Sequence, residues 1–293
     1  MAQIFLTGAT GFIGRHLLPA LIQANHHVRC LMRKTVNAKT LQHCSVYQGD
    51  LLQPQPWEPA IMGANTVIHL ASAHRGTPEL LHRTNAEGTA QLVALAERAG
   101  VHKFIYLSTL TAAPKPQWPY AYSTWLAEGA IQQSSLDYTI VRCSVIVGPG
   151  DPFLGGIIKI AQRWPVVPVI GDGQTRFQVL DVRDVVRCLL QIVREERFSK
   201  KLLSIGGPEA LSYEEIVDRV LVALRVRKRK VHVPRRLTRW LVSRLEEWGV
   251  HTPFAPGHFL SRDHCAQSLN VLQEHFGFIP KTLRHTLEDA FAP

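Results

Sequence analysis

Several things this chain lacks narrow what it can be. Its five cysteines, Cys30, Cys44, Cys143, Cys188 and Cys265, are scattered over 293 residues with no CxxC pair. That argues against a zinc ribbon or a disulfide framework and suits a reducing compartment. The fourteen histidines form no HExxH or comparable pattern, so no metal site is expected, and most are expected at the surface or in polar loops. No apolar run approaches the roughly 18 residues of a membrane span. Strand-like sequence begins by Gln3, leaving no room for a secretion leader, so a cytoplasmic protein is expected. Charged residues are only 19% against 46% hydrophobic, which excludes wholesale disorder. Internal repeats and low-complexity tracts are also missing. What is in excess is positive charge: 33 Lys and Arg against 23 Asp and Glu give a net +10. Such a balance favours anionic partners without choosing among phosphates, acidic lipid surfaces and nucleic acid.

The first 140 or so residues alternate between short apolar runs and segments of helical spacing. QIFLT (3–7), HVRCLM (27–32), SVYQ (45–48), TVIHLA (66–71), FIYLST (104–109) and YTIVR (138–142) read as strands. Phe12–Ala24, Leu80–Ala99 and Tyr120–Gln133 read as helices, and the proline-rich stretch 48–64 as a loop. This alternation predicts an α/β protein with a Rossmann-type doubly wound parallel sheet. After Gly148, GPGDPFLGG reads as turns and RWPVVPVIGDGQTRF as loop with short extended pieces. A helix is expected near 181–193, a strand near 201–205, and a helix start at Ser212, with Glu215 completing a capping box. The expected division is a core of 1–148 continued by 176–206, with 149–175 and 207–293 as a smaller C-terminal α/β lobe.

TGATGFIG (7–14) stands between the first strand and the first helix. In that context its glycines predict a dinucleotide site. Gly8 allows a sharp turn, Gly11 lets backbone N–H groups approach a pyrophosphate, and Gly14 permits close helix–strand packing. The helix N-terminus adds donors and a positive dipole end. NAD enzymes carry an acidic residue at the end of the second strand. Here that place reads Met32, Arg33, Lys34. Two cations there, with Arg15 behind Gly14, suit a 2′-phosphate, so NADP(H) is expected over NAD(H). The plainer reading of Arg33 and Lys34 is surface solubility.

Over nearly its whole length the chain resembles the short-chain dehydrogenase/reductase superfamily, in its extended and atypical branches. TGATGFIG resembles the cofactor loop, GDL (49–51) the third-strand motif, HLAS (69–72) the fourth strand end and YLST (106–109) the fifth strand. RCSVIVGPGDPF, IGDGQTRFQVLDVRDV, IGGPEALSYEEIV and FLSRDHCAQSLNVLQEHFGFIP follow in order. They are similar to the atypical group that contains the NADPH-binding accessory subunit of respiratory complex I and many bacterial sugar-epimerase-like proteins. The resemblance implies cofactor contacts from Gly8, Thr10, Gly11, Phe12, Ile13, Gly14, Arg15, Arg33 and Lys34. It extends them to Asp50 (on adenine), Leu51, Leu70, Ala71, Ser72, Asn85, Ser108, Tyr120 and Cys143. Cys143 departs from the group, which usually has proline there. Arg176 falls where relatives often place a cleft arginine, implying an anionic or polar substrate group; a loop-anchoring role is the alternative.

Superfamily chemistry uses a tyrosine as general acid or base and a lysine four residues later, on the same helix face, to lower its pKa. A Ser or Thr holds the substrate oxygen. In PYAYSTWLAEGAI the register set by Pro119 and Glu128 gives Tyr120, with Thr124 at the lysine position; shifting to Tyr122 puts Leu126 there. Thr109 and Tyr120 are thus the catalytic candidates, without the lysine. Three readings follow. The protein binds NADP(H) with little or no hydride chemistry, as a structural, assembly or redox-sensing protein. Or it is a working reductase or isomerase on a quinone-like or other carbonyl substrate, with its proton donor arranged differently. Or, least favoured, it is a nucleotide-sugar epimerase or dehydratase.

RVRKRKVHVPRR (225–236) is strongly positive, with seven Lys and Arg and no acidic residue, and Leu237, Trp240, Leu241, Leu245 and Trp248 follow at helical spacing. One reading is an interfacial helix at the inner face of a membrane, serving a lipophilic substrate or a respiratory complex. The other is a stripe packed on the lobe with a solvated basic face. Nucleic acid is not expected, because no reader module or stacking pattern is present.

Overall fold

The structure is a computed structural model that describes residues 1–33, 43–237 and 262–290. Lys34, Trp240, Leu241, Leu245 and Trp248 lie outside the described residues. The chain forms two compact units, 1–142 with 186–203 and 143–185 with 204–293.

In the first unit, β1 (Gln3–Thr7) leads into α1 (Phe12–Gln23), then β2 (His27–Met32), β3 (Cys44–Gln48) and β4 (Thr66–His69). A short helix α2 (Pro78–Leu81) passes through a π-helical turn, His82–Glu87, into α3 (Gly88–Arg98). β5 (Lys103–Thr109), α4 (Pro119–Gln132) and β6 (Asp137–Cys143) follow. With β11 (Lys201–Ile205) these strands make one sheet in the order β11-β6-β5-β4-β1-β2-β3. The β1–β2, β2–β3, β1–β4 and β4–β5 pairs are parallel. The expected Rossmann-like doubly wound sheet is therefore present. Strand order reverses between β1 and β4, and in such sheets that switch point opens a crevice beyond the strand ends. Strands buried on both faces need near-continuous apolar sequence. Ile4, Phe5, Leu6, Val67, Ile68, Phe104, Ile105, Ile140 and Val141 are all fully buried.

Two local expectations need correction. The helix expected over Leu80–Ala99 is interrupted, because the π turn swings Asn85 inward to a set of hydrogen bonds described below. The 48–64 stretch is not a plain loop. It buries Trp57 completely against Phe5, with ring centroids 5.7 Å apart, and ends in a 3-10 turn at Glu58–Ala60. Most of the described histidines are exposed or half-buried, as expected, and His26, His69 and His264 are buried.

The second unit starts at Cys143 and contains β7 (Ile146–Val147), α5 (Pro152–Arg163), β8 (Val166–Ile170), β9 (Arg176–Phe177) and β10 (Leu180–Asp181). The turns expected across GPGDPFLGG give way to helix at Pro152. The Asp151 side chain accepts the Leu154 N–H at 2.7 Å and proline takes the first helical position. Helix α6 (Val182–Arg194) crosses from the second unit into the first. β12 (Leu211–Ser212), α7 (Tyr213–Ala223) and β13 (Arg229–Val233) complete the larger elements, with short helices at Val271–Phe276 and Leu283–Ala290. The expected capping box is formed: Glu215 N–H donates to Ser212 Oγ at 3.2 Å, and Ser212 N–H to the Glu215 carboxylate at 2.7 Å. Residues 176–185 sit with this unit rather than the core, because β10 pairs with β7 and β9 with β12. A separate apolar core gathers Leu154, Ile157, Val167, Val169, Phe177, Ile216, Val217 and Val220.

Part of the basic run is strand. β13 pairs in parallel with β8, and Lys230 bridges Glu214 and Asp218, each at 2.8 Å. Among the described residues no helix is long and apolar enough to cross a membrane.

Candidate cofactor and active site

Gly8 has φ +76°, and a Cβ there would stand 2.7 Å from the Ala71 nitrogen and the Leu70 carbonyl carbon. A Cβ on Gly14 would stand 2.2 Å from the Gly8 carbonyl oxygen. The first glycine thus lets the chain turn against the end of β4, and the third lets α1 begin under that turn. Gly11 caps α1 with no side chain, and the first turn holds no acidic residue. Thr10, Gly11 and Arg15 are exposed and Phe12 and Ile13 half-buried. Backbone donors at a helix start, unspent on a capping side chain and with no carboxylate beside them, fit a dinucleotide pyrophosphate. Arg33 is exposed directly after β2. Asp50 uses one carboxylate oxygen on the Leu52 N–H at 2.9 Å, and Leu51 is buried in the core.

Beneath the turn lies a residue that composition did not single out. His69 ends β4, fully buried, with Nδ1 2.6 Å from Thr7 Oγ1 and Nε2 2.9 Å from Thr89 Oγ1. Its ring stacks on Tyr106 at 5.4 Å. Thr7 Oγ1 also accepts the Ala71 N–H at 3.3 Å, which ties β1 to the segment after β4. Burial pushes the His69 pKa down to about 3, so the ring is neutral. The available signal was the histidine of HLAS, an imidazole among strand apolars.

Asn85 is buried and fully engaged. Its carbonyl oxygen accepts from Ala73 N–H at 2.7 Å and Ser72 Oγ at 3.2 Å. Its amide donates to the Ala73 carbonyl at 2.9 Å and Ser123 Oγ at 3.1 Å. An asparagine amide has two donors and two good acceptor sites, and all four are used here. This side chain therefore pins the 72–73 segment to α4.

Thr109 closes β5 and its hydroxyl lies 3.0 Å from that of Thr111. Tyr120 is half-buried in the first turn of α4, its ring tilted against His74 with centroids 5.1 Å apart. Thr124 is buried and donates to the Tyr120 carbonyl at 2.9 Å, the ordinary back-bond of a helical threonine. Ser108, expected near the cofactor, hydrogen-bonds to the Glu128 carboxylate. Glu128 in turn receives the Arg142 Nε at 2.8 Å. The contact with Glu128 raises the Arg142 pKa further. This charged pair is the missed element: α4 is fixed to β5 and β6 by a buried carboxylate.

Two expected residues belong to the second unit. Cys143 is buried, and burial pushes its thiol up. Arg176 is exposed and donates to the Ala210 carbonyl at 3.2 Å. His102, Asp137 and Glu196 bring three metal-competent atoms within 4.8 Å of one another among the described residues. Glu196 is already met by Lys103 Nζ at 3.2 Å and Asp137 by the Lys200 N–H at 3.2 Å.

The chain is 31% identical over 234 residues to the ceramide reductase of Caulobacter vibrioides, covering 79% of this chain and 73% of that one. It is 24% identical over 312 residues to the photosystem II assembly factor Ycf39 of Synechocystis, covering 99% and 90%. The NADH dehydrogenase (ubiquinone) 1 alpha subcomplex subunit 9 of Dictyostelium discoideum is 27% identical, with 75% of this chain and 63% of that one covered. Among solved structures, MoeE5 in complex with UDP-glucose and NAD superposes with a TM-score of 0.76 at 23% identity, over 97% and 96% of the chains. At that identity the likeness speaks to fold alone. Residues 4–206 match the NAD dependent epimerase/dehydratase family. A glycine turn at the switch point, its supporting network and that match together make the chain a member of this extended short-chain dehydrogenase/reductase family.

Proposed function

We propose that the protein binds NADP(H) in preference to NAD(H) and carries out little or no hydride transfer, acting as a redox-sensing, assembly or structural member of its family. The observation that carries this reading is Thr124. It stands where the family lysine belongs, and its hydroxyl is engaged by a backbone carbonyl. A phenol of ordinary pKa near 10 needs a nearby cation to exchange protons at neutral pH. Thr124 supplies none. The bound nicotinamide would supply or accept hydride. Gly8, Gly11 and Gly14 would hold the pyrophosphate, Arg15, Arg33 and Lys34 the 2′-phosphate, and Asp50 the adenine. Thr109 and Tyr120 would face the reacting oxygen, and Arg176 an anionic substrate group.

Fluorescence titration tests the cofactor part. NADPH should bind at least tenfold tighter than NADH, and Arg33→Asp should erase that ratio; tighter NADH binding would sink it. Single-turnover absorbance at the nicotinamide band, against quinone and carbonyl panels, tests the silent part, and oxidation of bound NADPH by any substrate would overturn it.

A second reading is an active NADPH-dependent reductase or isomerase on a quinone-like or other carbonyl substrate. The likeness to a ceramide reductase favours it. A nucleotide-sugar epimerase or dehydratase is disfavoured by the missing lysine. The assembly-factor and complex I relatives support peripheral association with a membrane or a respiratory complex at its inner face. A nucleic-acid partner is not expected.

A further inference from the structure

Two helix-to-strand junctions of the second unit lie side by side. α5 ends at Arg163 and reaches β8 through Trp164 and Pro165. α7 ends at Ala223 and reaches β13 through 224–228. β8 and β13 are parallel and in direct register, Arg229 opposite Val166 and Lys230 opposite Val167. Both junctions therefore emerge at the same end of this two-stranded sheet.

That end is chemically unusual. Trp164 is 62% exposed, Val222 77% and Val231 42%. Around them stand exposed Lys159, Arg163, Arg225, Arg227 and Arg229. Among the described residues none of these five cations has an ion pair with an acidic side chain. The carboxylates of the neighbourhood are already taken, Glu214 and Asp218 by Lys230 and Glu214 also by His232 at 3.4 Å. The C-termini of α5 and α7 offset some of this charge, but each helix end amounts to only about half an elementary charge. A net positive rim remains around an exposed indole and two valines.

We propose that this end of the second unit is a docking surface for an anionic phospholipid bilayer. Arginines flanking an exposed tryptophan match the interfacial layer, where the indole sits at headgroup depth and guanidinium groups meet lipid phosphates. An acidic protein would satisfy the arginines but not the isolated tryptophan and valines. Single-stranded nucleic acid would call for several stacking rings, and the described patch presents one. The inference rests on the peripheral association proposed above and gives it a place and a lipid class.

Vesicle flotation of the full chain tests it, with phosphatidylserine-containing and pure phosphatidylcholine vesicles at low and high salt. The expected result is binding to the anionic vesicles only, released by salt. Arg227→Ala with Arg229→Ala should weaken partitioning roughly fivefold per arginine, and Trp164→Ala should weaken it at any salt. A thermal melt that keeps the parent's transitions checks that the second unit of each variant is folded. If the chain binds anionic vesicles and all three substitutions leave binding unchanged, membrane association stands and this surface is wrong. If the chain binds no vesicle, both are wrong. Binding of single-stranded RNA through the same arginines, with no vesicle binding, would also overturn the proposal.

Discussion

His69 makes stability depend on pH with a definite sign. Its folded pKa, about 3, lies below the ordinary imidazole value. Between those values the unfolded chain binds the extra proton, so the folded state loses stability as pH falls below about 6.5. The slope should approach about 1.4 kcal/mol per pH unit near pH 5, above the range where carboxylates dominate. Urea midpoints measured across roughly pH 5 to 8 should show it, and His69→Gln should reduce the slope to the part left by His26 and His74, whose pKa values burial also lowers. Asn85 is tested by removal. Asn85→Ala strands the Ala73 N–H and carbonyl, costing about 2–4 kcal/mol, while the Ser123 hydroxyl keeps its bond to the Tyr120 carbonyl. Chemical denaturation reads this directly, and a midpoint within error of the parent would mean that water replaces the amide. Arg142→Ala should cost about 3 kcal/mol by leaving Glu128 buried without its partner. Glu128→Gln should cost less, because the amide keeps an acceptor for Arg142.

At the level of elements, sequence periodicity predicted best where one force acts alone. The central strands β1, β4 and β5 are buried nearly throughout and their positions were legible. So was the capping box at α7, because Ser212 and Glu215 need only each other. The π turn was not, because its cause is Asn85 meeting partners at 72–73 and 123, contacts no local pattern encodes. Helix α5 was missed for the opposite reason. Glycine and proline around 148–156 read as turn residues, but Asp151 and Pro152 are also a helix start. In the candidate site the glycines announced themselves through spacing. The Glu128–Arg142 pair did not, because its halves are far apart in sequence and ordinary one by one. Asp151 offers a check at this scale. Its carboxylate accepts both the Gly148 and Leu154 N–H groups. Asp151→Ala should cost about 1–2 kcal/mol in thermal unfolding, whereas Asp151→Asn should cost much less.

For the whole molecule, two apolar cores mean that a ligand at the glycine turn acts on one of them. At a hundredfold excess over its Kd, NADPH should add about 2.7 kcal/mol to the stability of the state it binds. Hydrogen exchange should show the gain in amides of 1–142 and 186–203, with less change in 143–185 and 204–290. Equal protection in both units would mean that they unfold as one. The chain passes between the units at 142/143, 185/186 and 203/204, so the first unit is not a continuous stretch. Lys103 shows what this asks of synthesis. Its buried ammonium donates to the carbonyls of Ile192 and Glu195 and to the Glu196 carboxylate, 89 to 93 residues downstream. While the ribosome is still making those residues, β5 carries a lysine whose acceptors do not yet exist. β6 can pair with β5 in order of synthesis, but the Lys103 ammonium keeps water as its partner until the end of α6 has emerged.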